Sequence, residues 1–247
     1  MLRLDHVSVR FERDGAAPVQ AVHDLDLEVR EGETLCLIGG SGSGKTTTLR
    51  LLNRLQEPSA GRVVFRGDDV SGLDPVRLRR SMGYVIQAAG LFPHLTVAEN
   101  VGLLCELEGW PADRRSARVD ELLALVRLPA ADYAARYPAE LSGGEAQRVG
   151  VARALALDPP VLLMDEPFGA LDPLTRGHLQ QEFLEWRRAA PRTTVLVSHD
   201  LAEAFLLADR VALLEDGALR QVGTAEDFRA RPADAHVEAF VARHLDA

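Results

Sequence analysis

Gly39-Gly40-Ser41-Gly42-Ser43-Gly44-Lys45-Thr46 is the stretch on which the fold turns. It fits G-x-x-x-x-G-K-[ST], and its flanks fit too: Glu33 to Ile38 (ETLCLI) reads as a short buried strand and Lys45 to Asn53 as a helix. In that context a glycine loop wraps its backbone N–H groups round a phosphate chain, and the dipole of the following helix adds positive potential. Lys45 would then reach the β/γ-phosphates and the Thr46 hydroxyl would ligate Mg²⁺. Gly39, Gly40, Ser41, Gly42, Ser43, Gly44 and Thr47 complete the expected nucleotide cradle. A Gly/Ser turn with a chance lysine is the competing reading, and the flanking strand and helix count against it. The motif alone says P-loop NTPase, a class that spans kinases, GTPases, helicases and transport motors.

Composition narrows the field. A chain of 247 residues can bury one large α/β domain or a domain with an inserted lobe. Its apolar fraction of 47% contains only 5% aromatics, as helices packed on an aliphatic parallel sheet require. A formal charge of −9 repels a polyphosphate backbone, so nucleic acid is not an expected partner and a bound nucleotide needs a local device. Cys36 and Cys105 are far apart in sequence and away from any His cluster, which favours reduced thiols over a zinc site or disulfide. No apolar run reaches the ~18 residues that span a bilayer, and the start lacks the plan of a signal peptide. Work at a membrane would therefore depend on another chain.

Working outward, alternating apolar residues in Leu2 to Phe11 and Val22 to Val29 predict half-buried strands on either side of the turn-rich Arg13–Pro18. Arg62 to Phe65 and Met82 to Gln87 read as further strands. Val97 to Leu157 is almost wholly helical, punctuated by Pro111, Pro129 and Pro138. Strands and helices then alternate through Val161–Asp165, Pro173–Ala190, Thr193–Ser198, Leu201–Ala208 and Arg210–Glu215, the rhythm of a parallel sheet. Glu215-Asp216-Gly217 is a hairpin turn, and short helices near Thr224–Arg229 and Asp234–His244 follow.

Val161-Leu162-Leu163-Met164-Asp165-Glu166 is an apolar strand ending in two carboxylates, at the sheet edge where open α/β folds bind ligands. Adjacent acids in a dry site repel unless they share a cation or proton. Asp165 is the expected Mg²⁺ contact and Glu166 the general base.

Leu141-Ser142-Gly143-Gly144-Glu145-Ala146-Gln147-Arg148 precedes a helix upstream of that strand, and it resembles the signature motif of ABC ATPases. Ser142 and Glu145 also fit an S-x-x-E capping box, and the two readings are compatible, because a capped helix N-terminus is an anion site. Other positions follow in the family's order. Gln87 resembles the Q-loop glutamine, Ala170-Leu171-Asp172 the D-loop and His199 the switch histidine. Phe11 resembles the aromatic that stacks on adenine, although a strand Phe is more often a core residue. The resemblance runs from Leu2 to about Leu245 and departs mildly at Gly40, Glu145 and Phe11, where relatives often carry Pro, Gln and Tyr.

The resemblance implies an α/β fold: a P-loop NTPase (RecA-like) core with a mainly parallel sheet, an N-terminal antiparallel β lobe and an inserted helical lobe. The expected division is a single domain over 1–247, with the core at about 1–94 and 158–223, the helical lobe at about 95–157 and terminal helices at 224–247. It also implies ATP and Mg²⁺, with Gln87 on the metal and attacking water, Asp172 coupling two sites and His199 sensing the γ-phosphate. Ser142 and Gly144, with Gly143 and Gln147 beside them, would contact nucleotide held by a second ATPase subunit, most simply an identical copy. Integral-membrane permease subunits and an extracytoplasmic substrate-binding protein are the further partners, which places the chain on the cytoplasmic face of the membrane.

Tyr84–Gln87, Gly90–Asn100 and Pro167–Arg176 are similar in wording to bacterial importers of osmoprotectants such as glycine betaine or choline; polar amino-acid importers share much of it. Osmoprotectant ATPases often carry C-terminal CBS modules, for which this sequence has no room after His244. Soluble ABC ATPases of DNA repair or translation, P-loop kinases and binding-only switches are the rivals. The first lack support in inserted coiled coils or duplicated halves, the second give no reason for LSGGE, and the third none for Glu166.

Overall fold

The computed structural model describes residues 1–13, 15–87, 90–169 and 171–245. Asp14 of the predicted Arg13–Pro18 turn and Ala170 of the stretch resembling the D-loop lie outside the described residues. The chain forms two compact units: Met1–Arg79 with the chain from Arg192 onward, and Arg80–Pro191.

The first unit opens with β1 (Leu2–Arg13) and β2 (Ala16–Val29), paired antiparallel with Leu4 opposite Leu27 and Val9 opposite Val22. Strand β2 starts six residues before the expected Val22, because pairing with β1 carries the ladder through Gln20 and Val19 although neither is buried. The buried residues Leu2, Leu4, Val7 and Val9 slip by one between Leu4 and Val7, and Val22, Leu25, Leu27 and Val29 slip likewise after Val22. The register shifts there, and His6 and Asp24 take left-handed φ of 49° and 38°, so both halves of each strand keep their apolar side inward. On the exposed side His6 Nδ1 lies 3.0 Å from Asp24 Oδ1 and 3.2 Å from Asp26 Oδ2. These carboxylates, Asp24 first through its hydrogen bond, raise the His6 pKa. Next come β3 (Thr34–Ile38), every residue of it buried, α1 (Lys45–Leu52), β4 (Ala60–Phe65), the two-residue β5 (Asp68–Asp69) and α2 (Pro75–Arg80). A four-stranded antiparallel sheet results, in the order β2-β1-β4-β5.

In the second unit, β6 (Met82–Val85) pairs parallel with β7 (Val161–Asp165), Val85 opposite Met164. The expected strand through Gln87 stops at Val85 because pairing with β7 ends there, and Ile86 and Gln87 are exposed. The helices are α3 (Val97–Leu107), α4 (Ala112–Leu125), α5 (Ala130–Tyr133), α6 (Gly143–Ala154) and α7 (Pro173–Ala189). Gly83 lets the end of α6 press on β6, since a Cβ there would come 2.6 Å from the Ala154 carbonyl oxygen. Asn100, wholly buried, ties the loop before α3: its amide donates to the carbonyls of Phe92, Leu95 and Thr96 at 2.9–3.1 Å and its oxygen accepts the Phe92 N–H at 2.8 Å.

The chain then returns to the first unit as β8 (Thr193–Val197), α8 (Leu201–Leu207), β9 (Arg210–Glu215), β10 (Ala218–Gly223), α9 (Ala225–Ala230) and α10 (Ala235–Leu245). Here β3 runs parallel between β9 and β8, with Leu37 opposite both Ala212 and Val197. Strand β10 returns antiparallel on β9 through the predicted turn, where Asp216 and Gly217 take φ of 47° and 79°. Among the described residues no helix is long and apolar enough to cross a membrane.

The raised His6 pKa has a defined effect on stability. Protonated His6 is favoured in the folded chain, so its contribution is complete below 6.5 and lost as pH rises through the raised value. We expect His6→Asn to lower the thermal midpoint at about pH 6 and to leave it near wild type at about pH 9, read by scanning calorimetry.

Candidate nucleotide site

In the first unit the glycine loop leaves β3 and enters α1. A Cβ at Gly39 (φ 143°) would run into the Leu214 carbonyl, and one at Gly44 (φ 94°) into the Ala21 carbonyl. Backbone thus surrounds the loop too closely for any side chain at these two positions. Lys45 is almost fully buried, and its ammonium donates to the Gly39 and Gly40 carbonyls at 2.9 and 2.7 Å and to Ser43 Oγ at 3.5 Å. A cation is therefore fixed inside the loop, and the N-terminus of α1 opens onto the same place. Thr46 and Thr47 lie in the first turn of α1. The cradle has the buried cation and the helix N-terminus that suit a phosphate chain.

Because β3 and β8 are adjacent and parallel, the segment after β8 leaves the same sheet edge as the glycine loop. His199 sits there, exposed. Its neighbours fix the turn: Ser198, buried, sends its N–H to the Leu37 carbonyl at 3.0 Å, and Asp200 caps α8 by accepting the Glu203 N–H at 3.0 Å. Sequence reading passed over Asp200 and Glu203, although D-x-x-E before an apolar run was the available signal. Phe11 faces Val19 across the β1/β2 ladder and is 39% exposed, which removes the core reading and leaves a free aromatic face. Val19 lies two residues before Ala21, whose carbonyl closes on Gly44.

In the second unit the parallel pair β6/β7 brings Gln87 and Glu166 together: the Gln87 amide donates to Glu166 Oε2 at 3.1 Å. Glu166 has a left-handed φ of 44°, a strained setting for a non-glycine residue. Gly169 leaves it space, since a Cβ there would stand 3.3 Å from Oε2. Asp165, one residue earlier, is buried at the end of β7. Its carboxylate and the Gln87 side-chain carbonyl are oxygen donors, the chemistry that Mg²⁺ prefers.

Also in this unit, Ser142 is the N-cap of α6 and closes a capping box with Glu145. Gly143 is exposed, Gly144 and Gln147 are buried, and Gln147 Nε2 has no hydrogen-bond partner among the described residues. Gly144 permits a close crossing with α7, since a Cβ would approach Thr175 Cγ2 to 2.6 Å. The same Thr175 donates its N–H to Asp172 Oδ1 at 3.1 Å, so Asp172 caps α7 beside the start of α6. Thr175, first through its side chain, holds the Asp172 carboxyl below the usual range. The structure therefore joins Gly144 to the Asp172 cap, and Gln87 to Glu166. Tyr133, which sequence reading missed, donates to Glu145 Oε1 at 2.6 Å.

A family model described as ABC transporter matches residues 22–169, which includes the glycine loop, the α6 start and the β7 carboxylates. The chain belongs to the ABC transporter family. It is 49% identical over 243 residues to the glycine betaine/carnitine/choline transport ATP-binding protein OpuCA of Bacillus subtilis (strain 168), covering 98% of this chain and 63% of that protein. Identity is also 49% to the glycine betaine uptake system ATP-binding protein YehX of Escherichia coli (strain K12), with 98% and 77% covered. The chain thus spans less than two thirds of OpuCA. Among solved structures, the dimeric post-hydrolysis state of the ATP-binding cassette MJ0796 bound to ADP and Pi aligns with a TM-score of 0.82 at 33% identity, over 91% of this chain and 98% of that one. In this ABC chain, as in the family pattern read from the sequence, the glycine loop follows a buried parallel strand.

The blocked Cβ position at Gly44 gives a test. Gly44→Ala is expected to destabilise the chain by about 1–3 kcal/mol in urea denaturation, because it adds a clash to a left-handed conformation that side chains disfavour.

Proposed function

We propose that this chain is the ATP-hydrolysing motor subunit of an ABC importer, and that its cargo system handles osmoprotectants such as glycine betaine or choline. The observation that carries the ATPase part is the Gln87–Glu166 hydrogen bond of 3.1 Å, because it presents a carboxylate, on a strained backbone, to a neighbour suited to hold water. Names of relatives such as OpuCA and YehX support the cargo class.

In this reading Lys45 and the glycine-loop N–H groups hold the β/γ-phosphates, and Phe11 stacks on adenine. Thr46, Asp165 and Gln87 would hold Mg²⁺, which supplies charge neutralisation at the phosphates. Glu166 accepts the proton of the attacking water, and Gln87 orients that water. His199 reads the γ-phosphate, and Asp172 couples one site to the next. Ser142, Gly143, Gly144 and Gln147 act on nucleotide held by a second copy, so a single copy has an incomplete site. The dimeric form of the MJ0796 relative supports that arrangement. The helices around residues 95–157 form the lobe that carries this motif, and 1–247 functions as one ATPase domain. Closure on ATP and opening after hydrolysis would drive membrane subunits. Those subunits hold the chain at the cytoplasmic face, and a separate binding protein reads the cargo.

A base and a phosphate anchor should fail differently. Glu166→Gln is expected to bind ATP with near-normal affinity and to hydrolyse it roughly 10²–10⁴-fold more slowly. Lys45→Ala is expected to lose nucleotide binding first. Fluorescent-nucleotide titration with phosphate-release assays checks both, and equal loss of affinity in the two variants would contradict the assignment.

A further inference from the structure

The hydroxyl at the start of α6 is already engaged. Ser142 Oγ donates to Glu145 Oε2 at 2.8 Å and accepts the Glu145 N–H at 3.3 Å, and the Ser142 N–H donates to the same Oε2 at 2.7 Å. The other carboxylate oxygen takes the Tyr133 phenol at 2.6 Å. Tyr133 comes from α5, which is itself anchored: the Ala134 and Arg136 carbonyls accept the N–H groups of Ala98 and Val97 at 3.0 and 2.8 Å. The Arg136 guanidinium lies over the Tyr133 ring, 4.3 Å from its centroid. A fixed element thus reaches the first turn of α6 through one hydroxyl.

That contact matters electrostatically. A carboxylate at the third position of a helix satisfies end N–H groups, but its charge opposes an incoming anion. The Tyr133 donor, with the Arg136 charge nearby, offsets part of that opposition. Together with the Ser142 N–H, and ahead of it, the Tyr133 phenol holds the Glu145 carboxyl below its ordinary range.

We propose that Tyr133 is a positioning residue of the ATPase reaction: its phenol holds the Glu145 carboxylate on Ser142, and so sets the serine hydroxyl and the first turn of α6 for nucleotide phosphate. The inference rests on the reading above that this turn receives ATP held by a second copy. When phosphate arrives, Ser142 must turn its hydroxyl proton from Glu145 to the phosphate oxygen. Glu145 then keeps the Ser142 N–H and the Tyr133 O–H, and does not swing toward the anion.

The test uses the full chain carrying Glu166→Gln, with Mg-ATP titrated and dimer fraction followed by analytical ultracentrifugation. Adding Tyr133→Phe is expected to raise the ATP concentration for half-dimerisation about fivefold or more, the scale of one lost hydrogen bond. ATP binding by the dilute monomer should stay unchanged, as should the thermal midpoint within a few degrees. In a Glu145→Gln background, where the opposing charge is gone, Tyr133→Phe should shift the ATP requirement less than about twofold. An unaltered ATP requirement, or the same shift in both backgrounds, overturns the inference and leaves the proposed function standing. A Glu166→Gln parent that stays monomeric at saturating Mg-ATP overturns the shared-site reading and the inference with it.

Discussion

Backbone carbonyls of Leu214 and Ala21 stand where side chains would begin at Gly39 and Gly44, and this crowding shapes everything around the phosphate cradle. Leu214 belongs to β9 and Ala21 to β2, so the central parallel strands and the antiparallel lobe both press on one loop. Glycine alone fits, and a glycine loop brings its N–H groups close to a ligand without intervening atoms. The chain carries a formal charge of −9, yet this loop contains a buried ammonium held by its own carbonyls. Local geometry thus supplies the attraction that the overall field opposes.

The second unit relies on a different economy of parts. A two-stranded parallel pair sends two chain segments off one edge, and the side chains that follow, Gln87 and Glu166, meet directly. Two caps lie side by side in the same unit: Ser142 heads α6, Asp172 heads α7, and Gly144 allows the helices to touch at Thr175. Capping that stabilises a helix end also orients its free N–H groups, so the cap at Ser142 is compatible with the proposed phosphate contact.

Much of this was legible in the sequence, for a physical reason in each case. The glycine loop could be read because one octapeptide specifies backbone, charge and flanking elements together. Strand β7 matched its expected bounds residue by residue, since a continuous apolar run ending in Asp has few alternatives. The exposed Phe11 decided between core and free aromatic, which alternation alone could not do. The bulges at His6 and Asp24 were hidden in a one-residue slip of the apolar pattern. The early end of β6 depended on where its partner stopped, and α2 was too short to show a period. Asn100 closes its loop through carbonyls four to eight residues earlier, a set of partners that residue type alone does not announce. Tyr133 reaches Glu145 twelve residues away between separate helices, a tertiary contact that no spacing rule reports.

The central claim is that two copies build each active centre, one giving the glycine loop and the other the α6 start. Mixing two disabled chains tests it most directly: Lys45→Ala, which lacks the phosphate anchor, and Ser142→Arg, which blocks the α6 contribution. Each alone should hydrolyse almost no ATP. In an equimolar mixture, hybrid dimers hold one site with both intact parts, so phosphate release should rise well above either variant. A mixture no faster than the average of its two components would contradict the account.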